Sequence, residues 1–106
     1  MVKLVDSAET FDAILNEAGD KMICVDFSAS WCGPCKVIGP AFEKIAKKME
    51  GKFIALKVDV DDVEELAERY NIGEMPTFII IKCGEKIDGY VGASEKDLRA
   101  LINKYV

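Results

Sequence analysis

The sequence predicts an α/β fold, a central mixed β-sheet in the order βαβαβαββα with helices covering both faces. Three observations carry this. Helical periodicity alternates with short β-type runs along the chain. Met22–Phe27 is apolar almost throughout, as befits a central strand covered on both sides. Thr77–Ile81 and Lys86–Val91 are two further β-type runs, split by the hairpin signal Lys82-Cys83-Gly84-Glu85. Strands joined through helices pair in parallel with right-handed crossovers, so the first three should be parallel and the hairpin should form an antiparallel edge. At 106 residues, without repeat or linker, the chain is expected to be a single domain from Met1 to Val106.

Each element has its own signal. Val2–Val5 reads as a short strand. Asp6 or Ser7 is placed to cap the following helix, where Phe11, Ile14, Leu15 and Ala18 recur at helical spacing. Gly19-Asp20 stops it before the central strand. A second helix starts at Cys32 and runs to about Met49, with Ile38, Ala41, Phe42, Ile45 and Met49 as its inner stripe and Pro40 inside it. Gly51 ends that helix, and Phe53–Val60 is the third strand. Asp61-Asp62-Val63-Glu64 reads as a capping box with Asp61 at the cap, followed by Leu66, Ala67 and Tyr70. Asn71 and Gly73 close that helix. Ser94 caps the last one, with Leu98, Leu101, Ile102 and Tyr105 inward.

Composition narrows the chemistry. The net charge of −5 argues against nucleic acid or an anionic membrane as partner. No apolar run approaches the roughly 18 residues of a membrane span. Histidine is absent, which excludes His-ligated zinc, Cys-His and Ser-His nucleophile pairs, and histidine bases. Proton transfer is left to carboxylates, lysines, tyrosines or water. Apolar residues near Met1 are too few for a secretory signal, so the four cysteines are expected to be thiols in a reducing, cytoplasmic compartment.

Trp31-Cys32-Gly33-Pro34-Cys35-Lys36 is where reactivity concentrates. With Cys32 as N-cap, Cys35 occupies N3, and an N-cap side chain points at the free N–H groups of N2 and N3. The Cys32 sulfur then lies beside the Cys35 sulfur, beside unpaired donors, and at the positive end of the helix dipole. The donors and the dipole favour a thiolate. Pro34 falls in the first turn, where its missing N–H removes no bond. Cys32–Cys35 therefore reads as a dithiol that opens and closes easily. With one CxxC and no histidine, the chain lacks a zinc ligand set.

Val25-Asp26-Phe27, Trp31-Cys32-Gly33-Pro34-Cys35-Lys36, Met75-Pro76-Thr77-Phe78 and Val91-Gly92-Ala93 resemble the corresponding stretches of the thioredoxin family, over the whole chain and in the same element order. The Val58-Asp59-Val60-Asp61-Asp62 stretch is similar to the animal cytosolic type. The resemblance implies the thioredoxin fold and protein-disulfide reduction by dithiol–disulfide exchange, serving cell redox homeostasis. It implies no bound cofactor, electrons from NADPH through thioredoxin reductase, and clients such as peroxiredoxins, ribonucleotide reductase and methionine sulfoxide reductases. A monomer without nucleic-acid or membrane partners is expected.

Position makes Cys32 the nucleophile, the more exposed sulfur at the helix start, and Cys35 the deeper, resolving thiol. Asp26 is the one charge in the central strand; burial should raise its pKa and suit it to accept a proton from Cys35. Lys57, on a strand that can neighbour it, is its candidate partner. The resemblance makes Trp31 an exposed wall of the substrate surface rather than a core aromatic, and Met75–Pro76 a cis bond whose backbone receives an extended target. Ile72, Gly73, Val91, Gly92 and Ala93 would complete an apolar rim. Cys24 reads as a buried small hydrophobe, and Cys83 as an exposed thiol able to link two molecules under oxidation. Three positions depart from the common pattern: Glu74, where many animal members carry cysteine, Cys83, and Gly39, where bulkier residues are usual. Two rival readings fit less well. A redox-inert adaptor has no use for Cys32, Cys35 and Asp26, and an isomerase-type domain usually carries Gly-His between its cysteines.

Overall fold

The computed structural model describes all residues, Met1–Val106. The elements are β1 (Val2–Val5), α1 (Ala8–Ala18), β2 (Ile23–Ser28), α2 (Gly33–Lys48), β3 (Ile54–Asp59), α3 (Glu64–Arg69), β4 (Thr77–Lys82), β5 (Glu85–Val91) and α4 (Glu95–Tyr105). They form one five-stranded sheet in the order β1-β3-β2-β4-β5. β1, β3 and β2 are parallel; β4 runs antiparallel to β2, and β5 to β4. This is the mixed sheet and edge hairpin that the sequence predicts.

Alternation along the buried strands sorts two cores onto the two faces. Ile23, Val25 and Phe27 pack with Leu56, Val58, Ile79 and Ile81 against Phe11 of α1 and Leu66 of α3. Cys24, Ala55, Phe78 and Ile80 pack against Ile38, Phe42 and Ile45 of α2 and Leu98 and Ile102 of α4. Phe78 anchors the second face, edge-on to Phe42 at 5.3 Å and stacked on Tyr90 at 6.5 Å between centroids. All six residues of β2 are buried, so any side chain on it, charged or not, is out of water.

Caps place the helices. Ser7, not Asp6, caps α1, its hydroxyl accepting from the Thr10 N–H at 3.1 Å. Ser94 does the same for α4 through Asp97 N–H at 3.2 Å. The helix α2 runs unbroken through Pro40. The capping box expected at Asp61 does not form. α3 starts later, with Val63 at its N-cap and no side-chain capping bond. Asp61 is held at both its backbone and its side chain instead. Asp59 Oδ1 accepts the Asp61 N–H at 2.9 Å, and the Asp61 carboxylate accepts the Trp31 indole N–H at 2.9 Å. The other end of α3 is a Schellman closure. Asn71 adopts φ 55°, and the N–H groups of Asn71 and Ile72 return to the carbonyls of Glu68 and Ala67 at 3.1 and 2.8 Å.

The hairpin is tighter than the sequence suggests. Lys82 pairs with Glu85, leaving Cys83 and Gly84 alone in the turn at φ 52° and 81°. Positive φ at both central positions is the type I′ turn, whose twist matches that of its strands and whose first position favours asparagine. Cysteine there has a Cβ close to its own carbonyl. Cys83→Asn should therefore raise stability by about 0.5–1 kcal/mol. Urea unfolding of the reduced protein would read this as a higher midpoint at unchanged slope; a lower midpoint would contradict it.

Candidate active site

The redox pair sits where β2 ends and α2 begins. Cys32 is the N-cap of α2, at extended φ/ψ of −88° and 112°, and its Sγ accepts the Cys35 N–H at 3.2 Å. Cys35 thus occupies the N3 position that the spacing predicts. The two sulfurs are joined in a disulfide across a Cα separation of 5.3 Å. Gly33 and Pro34 form the exposed first turn.

Exposure does not separate the two cysteines as expected. Cys32 is 4 % exposed and Cys35 6 %, so both are buried. The reason is packing that a spacing argument does not see. The pair clusters with Ala29, one residue beyond β2, and Val60 and Met75 pack against this cluster from two other segments. Cys32 Sγ lies 3.6 Å from the Met75 carbonyl oxygen, an acceptor within reach of a thiol at this position.

Asp26 lies on the α2 face of β2, paired in register with Lys57 on β3 and Phe78 on β4. It is 1 % exposed, and its Oδ1 has no hydrogen-bond partner. Burial pushes its carboxyl up to about 6, a rise restrained by the positive charge of Lys57. The expected Asp26–Lys57 pairing is thus one of register and field; the ion pairs of the structure do not include it. A cavity of about 570 Å³ connects Asp26 and Cys35 with Lys36, Gly39, Pro40 and Lys57. Cys24 is a different case: burial first, then the charge of Asp26, push its thiol far above the usual range, which keeps it unreactive.

Around the disulfide lies an uneven apolar rim. Trp31 is 66 % exposed and held by Asp61, a role the sequence reading missed by assigning Asp61 to a cap. The available signal was the indole N–H, which needs an acceptor wherever the ring stands. Met75–Pro76 is cis, as the resemblance implies. Pro76 is buried and its carbonyl accepts the Gly92 N–H at 3.1 Å, which joins the Met75 loop to the end of β5. Val91 is exposed and shares a groove with Ile72, Gly73 and Glu74. Gly92 has φ 148°, and a Cβ there would fall 2.5 Å from the Tyr90 hydroxyl, which accepts the Ser94 N–H. Ala93 is the exception on the rim, since it packs towards the core under α4. No group of three or more Cys, Asp and Glu side chains is gathered to hold a metal ion.

The family model described as thioredoxin matches residues 2–104. The chain belongs to the thioredoxin family. The thioredoxins of Callithrix jacchus and Homo sapiens are each 44% identical to it over 106 residues, covering 100% of both chains. The X-ray structure of Fasciola hepatica thioredoxin matches with a TM-score of 0.94 at 39% identity, covering 98% of this chain and 99% of that one. The fold is the thioredoxin fold, and Cys32–Cys35 is the redox-active disulfide of a disulfide oxidoreductase acting by dithiol–disulfide exchange. Its partners are in general disulfide-containing proteins and a reductase. No helix is long and apolar enough to cross a membrane.

The buried carboxyl has a thermodynamic consequence. The folded protein keeps the Asp26 proton to higher pH than the unfolded chain does, from the ordinary 3.8 up to about 6. The folded state thus binds more protons between these values, and Asp26 lowers stability as pH rises through them. Above about pH 6 its penalty amounts to about 3 kcal/mol. Oxidised Asp26→Asn should accordingly be more stable than the parent at pH 8 by about this amount, the difference closing below about pH 4. Paired urea titrations across that range check it; a constant difference would mean that the carboxyl does not titrate there.

Proposed function

We propose that this protein works in the reducing direction, with Cys32 as nucleophile, Cys35 as resolving thiol and Asp26 as proton acceptor. The observation that carries the assignment is the cap: the Cys32 sulfur receives the Cys35 N–H at the start of a 16-residue helix. Backbone donors and the helix dipole stabilise negative charge at this sulfur, and thiolate is the attacking form. Cys35 has no such position, and Asp26 shares a cavity with it.

The Cys32 thiolate attacks one sulfur of a target disulfide. A Cys32–target mixed disulfide forms, and the other target sulfur leaves as a thiolate that takes a proton from solvent. Cys35 gives its proton to the Asp26 carboxylate and attacks Cys32 Sγ. The Cys32–Cys35 bond forms, the bond to the target breaks, and the second target sulfur leaves. Two electrons have passed from the dithiol to the target. Lys57 limits the rise of the Asp26 pKa, which places it near neutrality, where a base works best.

Trp31 is the exposed wall beside Cys32, and the Met75 backbone receives the extended segment of the target as an added strand. Ile72, Gly73 and Val91 shape the rim, backed by the buried Pro76, by Gly92 and by the inward-packed Ala93, with Gly33 and Pro34 in the first turn of α2. The electrons come from NADPH through thioredoxin reductase, with no cofactor bound to this chain. Peroxiredoxins, ribonucleotide reductase and methionine sulfoxide reductases are the client classes, and the cytoplasm is the compartment. The exposed Cys83 is the thiol that links two otherwise monomeric molecules under oxidation.

The division of labour is tested by trapping, with Cys24 and Cys83 replaced by serine. Cys35→Ser should attack targets but fail to release them, accumulating mixed disulfides from a cell extract on a non-reducing gel. Cys32→Ser should trap at most about one-tenth as much, because the remaining thiol lacks the cap that favours thiolate. Equal trapping by both variants would reverse the assignment.

A further inference from the structure

Glycine stands at position 39, in the interior of α2, without a conformational or packing reason. Its φ is not in the left-handed region, and a Cβ built there meets nothing within 4 Å. In a helix interior glycine costs about 0.5–1 kcal/mol relative to alanine. Gly39 does line the cavity that holds Asp26, Cys35, Lys36 and Lys57. Cys35 and Gly39 are four residues apart and share a helix face. Helical side chains lean towards the N-terminus, so a long side chain at 39 would lie across the cavity towards Cys35. We propose that Gly39 is a positioning residue whose missing side chain keeps open the passage by which Asp26 exchanges its proton with solvent.

The proposal rests on Asp26 as the proton acceptor of the resolving step. In each cycle the Cys35 thiol proton passes to the Asp26 carboxylate, and the resulting carboxylic acid must return that proton to water before it serves again. Asp26 is 1 % exposed, so this return depends on the cavity. The groups around it are few. Cys24 and Ser28 share its face of β2, Lys57 faces it from β3, and Phe78 from β4 offers no proton. Cys35, Lys36 and Glu43 line the cavity from α2, and Glu43 is engaged by the Val2 N–H at 2.9 Å.

The test grades the side chain at one position: Gly39→Ala, Gly39→Met and Gly39→Leu in the full chain. The open space at this Cβ lets all three fold, and the unbranched methionine covers the case in which leucine does not. Two readouts are followed. One is the pH midpoint of the Asp26 carboxyl carbon by NMR in the oxidised protein. The other is the rate of target release over repeated cycles at pH 7, with excess dithiothreitol restoring the dithiol, so that Asp26 must shed its proton between turnovers. Excluding water from the carboxyl should raise the midpoint by about one pH unit in the Leu and Met variants, against about three to five for complete burial. Release should slow by about tenfold, part of the roughly hundredfold or more that positioned proton transfer supplies. Alanine should show the smallest change of the three. A parent-like midpoint and rate in both long variants would overturn the proposal. Asp26→Asn separates the two claims. Release at the parent rate in that variant removes Asp26 as the acceptor and the proposal with it. Slowed release in Asp26→Asn beside parent-like Leu and Met variants removes the Gly39 passage alone.

Discussion

Cys32 is at once the cap of α2 and half of the disulfide, and the arrangement of the site depends on that single sulfur. A helix start leaves backbone N–H groups without partners, and an oxygen-bearing side chain usually satisfies one of them. Here sulfur takes that place, receiving the Cys35 N–H. The same bond brings the second cysteine within reach, since the N-cap and N3 lie side by side. It also aims the positive end of a 16-residue helix at the Cys32 sulfur, where that field favours a thiolate. Capping and reactivity are therefore one interaction.

The second constraint is the carboxyl beneath the pair. A fully buried strand is the worst place for a charge, and nothing hydrogen-bonds Asp26 Oδ1 to offset its desolvation. The sheet answers with register: parallel pairing sets Lys57 opposite Asp26, and the cation holds the pKa near 6 rather than letting it rise further. Stability and chemistry pull against each other here. A nonpolar residue would suit the core better, but the cavity that Cys35 lines would lose its buried carboxyl in a chain without histidine.

Local chemistry was legible wherever one segment contains the whole interaction. The caps at Ser7 and Ser94, the position of Cys35 at N3 and the closure at Asn71 all follow from neighbours in sequence. The reading failed at Asp61 because its carboxylate had two suitors. A helix start lay two residues away in the chain, and the Trp31 indole lay thirty residues away in sequence. It failed again on the exposure of Cys32, which Ala29, Val60 and Met75 cover from three separate segments.

The sequence by itself determined the element order, the parallel and antiparallel parts of the sheet, the redox pair and the oddity of a lone acid in an apolar strand. These rest on periodicity, turn chemistry and capping, which act over a few residues. Only the tertiary structure decided that Lys57 faces Asp26 in register without an ion pair, that Asp61 holds Trp31, and that the gap at Gly39 opens onto the buried carboxyl. Those facts depend on strand register and on contacts between distant segments. Hydrophobic patterning sets which face a side chain takes, but the partner it meets there is settled only when the whole sheet and its helices pack.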